Sequence, residues 1–167
     1  MRESESAVVV AVDAEHMRAI GGAIAAGLRT VRGAPVIIAI AGELGAGKTT
    51  LVGGLLNELG LRGPARSPTY TLIEPYELEG RSIQHLDLYR LADPAEVEAL
   101  GLRDLLIDDA VLLIEWPERG ADFIPIPDLH LSIVYSAQRV TGRDIELAAA
   151  TAAGAAIQAI VVGAVKR

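Results

Sequence analysis

One segment constrains this chain more than any other: Gly42-Glu43-Leu44-Gly45-Ala46-Gly47-Lys48-Thr49, which satisfies G-x-x-x-x-G-K-[ST]. Its flanks give the pattern weight. Val36–Ala41 is a continuous apolar run, β-branched and too short for a helix, so it is expected to form a buried strand. Behind the glycines, Val52, Leu55, Leu56 and Leu59 recur on one face of a helix that starts at Lys48 and stops at Gly60. In a strand–loop–helix unit of this kind the loop N–H groups wrap a phosphate and the helix N-terminus adds positive partial charge. Lys48 then reaches the β- and γ-phosphates, and the Thr49 hydroxyl is placed to ligate Mg²⁺. The alternative is a structural glycine turn with an incidental lysine. Only two lysines occur, Lys48 and Lys166, and chance would fill the four fixed positions in well under about one chain in a hundred. The candidate nucleotide-binding set is therefore Glu43, Leu44, Gly45, Ala46, Gly47, Lys48, Thr49 and Thr50.

Composition narrows the surroundings of this loop. At 167 residues the chain fits one domain, expected to run from residue 1 to 167. Apolar residues make up 51% but aromatics only 4%, so the core is expected to be Val, Ile, Leu and Ala packed between repeated elements. Cysteine is absent, which excludes disulfides, Cys-ligated zinc, iron–sulfur clusters and thiol catalysis, and makes a reducing cytoplasm the expected location. A formal charge of −7 argues against autonomous nucleic-acid binding, since phosphate contacts need a surplus of Lys and Arg. Any link to RNA would have to run through a partner. The start of the chain, with the short apolar run Ala7–Val12, does not have the pattern of a signal peptide. Leu147–Val165 carries no charge, but Ala, Gly, Thr151 and Gln158 dilute it. Its large residues Ile157, Ile160, Val161 and Val165 share one helical face, so a packing helix is expected there and no membrane span.

The remaining elements follow from local signals. Asp13 is expected to cap a helix carrying Met17, Ile20, Ile24 and Leu28, which ends in the loop Arg29–Pro35. Strands are expected at Tyr70–Glu74 and Arg81–Asp87 around a turn near Gly80. Asp93-Pro94-Ala95-Glu96 has the form of a capping box with proline at the first helical position, and Gly101 ends that helix. Val111–Ile114 is a second buried strand, closed by Glu115. Leu129–Tyr135 and Arg143–Leu147 form a hairpin around Thr141-Gly142 before the Ala-rich last helix. Together these elements make one α/β sandwich.

Phosphoryl transfer needs a carboxylate at a strand end to hold Mg²⁺ or orient the attacking water. Two residues qualify: Glu115, after Val111-Leu112-Leu113-Ile114, and Asp87, within His85-Leu86-Asp87-Leu88-Tyr89-Arg90. Either could also be a cap or a solvated strand end. His85 is either a proton relay or a core histidine. Trp116 stacks on a base or a partner, or simply packs, and Arg90 either neutralises phosphate charge or pairs with an acid. The hydroxyl-rich stretch Ser67-Pro68-Thr69-Tyr70-Thr71 is either a nucleotide-sensing switch or ordinary turn chemistry. Guanine recognition through N-K-x-D is ruled out, because the only Asn, Asn57, is followed by Glu58; ATP is the expected nucleotide.

These blocks together resemble the TsaE family, also known as YjeE, the small bacterial ATPases of tRNA threonylcarbamoyladenosine synthesis. The matching segments are Gly42–Thr50, Ser67–Leu72, His85–Arg90, Gly101-Leu102-Arg103-Asp104 and Ile114-Glu115-Trp116-Pro117, spread over the central half of the chain. The resemblance implies a P-loop NTPase fold: a three-layer α/β sandwich whose central sheet is mostly parallel with antiparallel strands at its edges. It implies ATP hydrolysis with Mg²⁺, slow without partners, and assembly with TsaB and TsaD, which modify adenosine 37 of tRNA; tRNA itself is reached through that complex. Carried over by position, Lys48, Asp87 and Glu115 are the catalytic set, and Thr49, Asp87 and Glu115 the metal set. Ser67, Thr69, Tyr70, Thr71, Arg90 and Trp116 are candidates for a switch or partner contact. After Gln138 the match is loose. Two rivals remain: an ATP-dependent module that senses nucleotide without useful turnover, and a small-molecule kinase, for which no Arg-rich lid is found.

Overall fold

The computed structural model describes residues 6–66, 68 and 71–166. Seven strands form one sheet: β1 (Ser6–Ala11), β2 (Val36–Gly42), β3 (Ile73–Leu78), β4 (Arg81–Asp87), β5 (Val111–Glu115), β6 (Leu129–Tyr135) and β7 (Arg143–Ala149). Their order across the sheet is β1-β7-β6-β2-β5-β4-β3. The central four, β6, β2, β5 and β4, run parallel, and β7, β1 and β3 add antiparallel pairings at the two edges. This is the expected α/β architecture of a mostly parallel centre with antiparallel edges.

Strand alternation divides the core in two. Val36, Ile38 and Ile40 of β2, Val111 and Leu113 of β5, and Leu129, Leu131 and Ile133 of β6 face a layer of three helices. These are α1 (Ala14–Thr30), α2 (Lys48–Glu58) and the last helix of the chain, α4 (Ala152–Val165), numbered after the one-turn α3 (Glu96–Ala99). Asp13 caps α1 by accepting from the His16 N–H, and Thr151 caps α4 by accepting from the Gly154 N–H. Helices α1 and α2 meet backbone to backbone: a Cβ on Gly21 would lie 2.1 Å from the Leu51 carbonyl oxygen, and one on Gly54 2.2 Å from that of Arg18. On the opposite face, Ile37, Leu86, Leu112 and Ile114 pack under α3 and short 3-10 helices, through Leu88, Leu91, Val97 and Leu102. Among the described residues no helix is long and apolar enough to cross a membrane.

Three local differences from the sequence expectation have physical causes. Ser6–Ala11 is a strand, although its valine run gives no alternation to read; only Val9 and Ala11 face the core, as befits a half-exposed edge strand. Strand β3 covers Ile73–Leu78 instead of Tyr70–Glu74. Leu72, at φ 60, is not extended and the strand begins only after it, and Tyr70 of the expected strand lies outside the described residues; Pro75 is tolerated inside an edge strand because that position needs no ladder N–H on its outer side. At Asp93 only part of the expected capping box forms: the Asp93 N–H donates to Glu96 and the Ala95 N–H to Asp93, but these bonds close a turn, and the helix begins later, at Glu96, with Ala95 at its N-cap. Only the single turn of α3 follows, because Gly101 at φ 64 closes the segment soon after.

Candidate functional site

Parallel pairing of β2, β5 and β4 brings three carboxyl ends to one edge of the sheet, where ligands of open α/β sheets bind. The loop from Gly42 turns there into α2. Gly45 at φ 78 and Gly47 at φ 108 take backbone conformations that side chains rarely adopt, and a Cβ on Gly47 would also lie 3.1 Å from the Met17 methyl. The loop borders a cleft of about 360 Å³. Its walls include Lys48, Thr49 and Thr50 from α2, Asp87 from β4, Glu115 from β5, and Pro68, Leu72, Tyr89, Arg90 and Trp116 from the loops between them.

The side chains in this cleft are tied to one another. Lys48 is 5% exposed; its Nζ donates to the carbonyls of Gly42 at 2.6 Å and Glu43 at 2.9 Å and lies 4.1 Å from the Trp116 ring centre. Burial holds this ammonium below the usual lysine range, with Glu115, Glu118 and Asp87 pulling the other way. The Thr49 hydroxyl donates to both Glu115 oxygens, at 3.1 and 3.2 Å. Asp87 stands opposite Glu115 in the β4–β5 register, accepts from the Tyr89 N–H at 3.0 Å, and is pushed above the ordinary aspartate range mainly by burial. His85 is fully buried, and its Nε2 lies 2.8 Å from Glu115 Oε1.

The sequence candidates therefore separate. Leu44, Gly45, Gly47, Lys48, Thr49, Thr50, Asp87, Glu115, Arg90 and Trp116 all line the one cleft. Glu43 and Ala46 contribute backbone: the Glu43 carbonyl takes Lys48, and the Ala46 carbonyl takes Arg143. The Thr71 hydroxyl donates to the Ile73 carbonyl and is not among the cleft-lining residues. Ser67, Thr69 and Tyr70 lie outside the described residues. Trp116, at φ 57, packs against Tyr89 with ring centres 4.9 Å apart.

Two residues missed by sequence reading hold the loop from behind. Arg143 Nε donates to the Ala46 carbonyl at 3.1 Å, and its guanidinium lies 4.1 Å from the Tyr135 ring centre, while the Tyr135 hydroxyl donates to the Leu44 carbonyl at 3.2 Å. Both come from the β6–β7 hairpin, where they are register partners, more than ninety residues away in sequence. No local motif marks them. A smaller cavity of about 190 Å³ lies on this side of the loop, bordered by Asp13, Met17, Gly47, Thr50, Thr141 and Arg143.

The donor set suits a hard cation: one hydroxyl and two carboxylates, all oxygen, beside the start of α2. Among the described residues no three His, Asp or Glu side chains group closely enough to hold a metal by themselves.

Comparison with known proteins agrees with this geometry. Residues 11–145 match the family model of the threonylcarbamoyl adenosine biosynthesis protein TsaE. The tRNA threonylcarbamoyladenosine biosynthesis protein TsaE of Haemophilus influenzae is 46% identical over 119 residues, covering 71% of this chain and 73% of that one. Its counterpart in Streptomyces coelicolor is 38% identical over 120 residues, covering 70% and 78%. The crystal structure of Bacillus subtilis YdiB superposes with a TM-score of 0.77 at 23% identity, covering 98% of both chains, which shows the shared fold. With the family model matched from the end of β1 into β7, the chain belongs to the TsaE family.

Proposed function

We propose that the chain binds ATP with Mg²⁺ and hydrolyses it, supporting the transfer of threonylcarbamoyl to adenosine 37 of tRNA together with TsaB and TsaD. The tRNA pathway is the one that its relatives' names carry. The observation that carries the hydrolysis is the convergence of Lys48, Thr49, Asp87 and Glu115 on one cleft at the phosphate-binding loop.

In this reading the loop N–H groups and the N-terminus of α2 hold the β-phosphate, and Lys48 exchanges its carbonyl contacts for phosphate oxygens. Mg²⁺, held by Thr49, Glu115 and Asp87, supplies charge neutralisation on the phosphates. Water attacks the γ-phosphorus, the bond to the bridging oxygen breaks, and ADP and inorganic phosphate leave. One of the two carboxylates, Asp87 or Glu115, orients that water and accepts its proton while the other stays on the cation. The nucleoside runs past Thr50 toward the smaller cavity at Asp13, Met17 and Arg143. The acidic chain meets tRNA only through its partners.

The test is phosphate release by the chain alone and with TsaB, TsaD and tRNA, for the wild type and Glu115→Gln. Turnover is expected to rise with the partners. Glu115→Gln is expected to keep ATP affinity within about threefold and to lose turnover by about 10²-fold or more. ATP binding with no turnover under any condition would replace the ATPase reading with that of a nucleotide-sensing module.

A further inference from the structure

Odd-numbered residues of β4 and β5 face the α2 layer, where Ile83, Val111 and Leu113 join its core. Asp87 stands opposite Glu115, and His85 opposite Leu113, one pair further from the cleft. A diagonal neighbour on adjacent strands is within reach of long side chains. His85 Nε2 makes that reach, 2.8 Å from Glu115 Oε1, with the imidazole fully buried and Glu115 2% exposed.

The other ring nitrogen is the informative one. Nδ1 is buried and has no hydrogen-bond partner. With the proton on Nε2, the ring gives the carboxylate a donor and leaves Nδ1 as a bare acceptor. With the proton on Nδ1, a buried N–H stays unpaired and the Nε2 lone pair faces a carboxylate oxygen. Nδ1 is without a partner in either tautomer, so the choice rests on Nε2, where a proton is donated to the carboxylate and a lone pair would be repelled by it at 2.8 Å; the Nε2–H tautomer is retained. The register partner of His85 is Leu113, and the next pair away from the cleft, Ile83 and Val111, is apolar, so the bond to Glu115 is the polar contact this imidazole makes. The fold carries a half-satisfied imidazole in a place where only its bond to Glu115 gives it a use.

We infer that His85 is the positioning residue for Glu115: its Nε2–H holds Oε1 and so sets the direction in which the rest of the carboxylate faces the cleft. The inference rests on the hydrolysis reading above, in which the Thr49 hydroxyl serves the cation. Thr49 is the other described side chain bonded to Glu115, so once it turns away, His85 is the anchor that remains.

Glutamine and asparagine separate this role from simple packing, because the amide nitrogen of Gln falls near the position of Nε2 and that of Asn near Nδ1. His85→Gln is expected to keep kcat within about threefold, whereas His85→Asn and His85→Leu lose about 10–100-fold, with KM for ATP unchanged in all three. Mn²⁺ affinity in the presence of a non-hydrolysable ATP analogue should follow the same order. Nitrogen-15 spectra of the nucleotide-free protein, with only three histidines to assign, should show the His85 proton on Nε2 and a shifted signal in Glu115→Gln. Equal values for the Gln and Asn variants, a loss confined to KM, or a proton on Nδ1 would overturn the inference. A wild type that binds ATP without turnover would refute hydrolysis alone, and the Mn²⁺ and nitrogen-15 readouts would still decide for or against His85.

Discussion

Neighbouring glycines in α2 should respond to the same substitution with opposite signs. A Cβ added at Gly54 would lie 2.2 Å from the Arg18 carbonyl oxygen and 2.6 Å from the Arg18 Cα, where ordinary contact begins near 3.4 Å. Relief therefore needs about 1 Å of separation (3.4 − 2.2 = 1.2), and both obstructing atoms are backbone, so no rotamer change supplies it. Overpacking of this kind costs about 1–3 kcal/mol or more, against about 1 kcal/mol gained by replacing a helical glycine with alanine. The clash wins, and Gly54→Ala should destabilise by about 1–2 kcal/mol. At Gly53 the new Cβ meets only the Ala65 Cβ at 3.9 Å, an ordinary contact. Gly53→Ala should therefore stabilise by about 0.5–1 kcal/mol. Urea unfolding followed by circular dichroism measures both; the midpoints should move apart while m stays constant. The corresponding gap in Tm is about 4–10 °C for a chain of this size. Because Lys48 and Thr49 open the same helix, Gly54→Ala should also weaken ATP binding, which Gly53→Ala should spare. A Gly54→Ala protein as stable as Gly53→Ala would refute the backbone-contact account of how α1 seats α2.

Further outcomes follow from the cleft. Lys48→Ala should raise the ATP Kd by about 100-fold in calorimetry, the equivalent of two lost charge-assisted bonds of about 1.5 kcal/mol each, while the fold survives. Thr49→Ala should shift the Mg²⁺ midpoint of nucleotide binding to higher concentration, and Thr49→Ser should restore it; an unchanged midpoint removes Thr49 from the metal set. Asp87→Asn should lower turnover yet raise Tm at neutral pH. Burial lifts the folded-state pKa of Asp87 above its ordinary 3.8, so the native chain holds that proton longer than the unfolded one and loses stability as pH rises through the window between. The Tm difference between variant and wild type should thus shrink to nothing as pH falls toward 3.8. Arg143→Met should weaken ATP binding about tenfold through a loosened loop, with little change in Tm; wild-type affinity would mean that the loop holds its shape without the hairpin.

What the sequence disclosed about this molecule depended on how local the cause was. The loop Gly42–Thr49 and the cap at Asp13 are set by residues within one turn of each other, and each lies where the spacing puts it. Asp87 and Glu115 were legible as strand ends, but their pairing opposite one another is a property of the β4–β5 register. Arg143 and Tyr135 act on the loop through a hairpin that closes only in three dimensions, and β1 gives no alternation because exposed Val8 and half-buried Val10 flank buried Val9 with the same residue type. His85 showed its type and not its partner: a burial argument allows either a packed ring or a bonded one, and only coordinates separate them.

The indole of Trp116 is the chain's sole tryptophan, and it lies against the ammonium of Lys48. Excited at the red edge of its absorption, where the four tyrosines do not absorb, the protein therefore emits from a single indole in direct contact with the lysine that the proposed reaction moves onto phosphate. A ligand that draws Lys48 off the ring changes the local field and quenching of that emitter, so the chain carries an unlabelled optical gauge of what this lysine does. Stopped-flow fluorescence times the lysine's departure separately from phosphate release, and partner proteins free of tryptophan leave the signal clean.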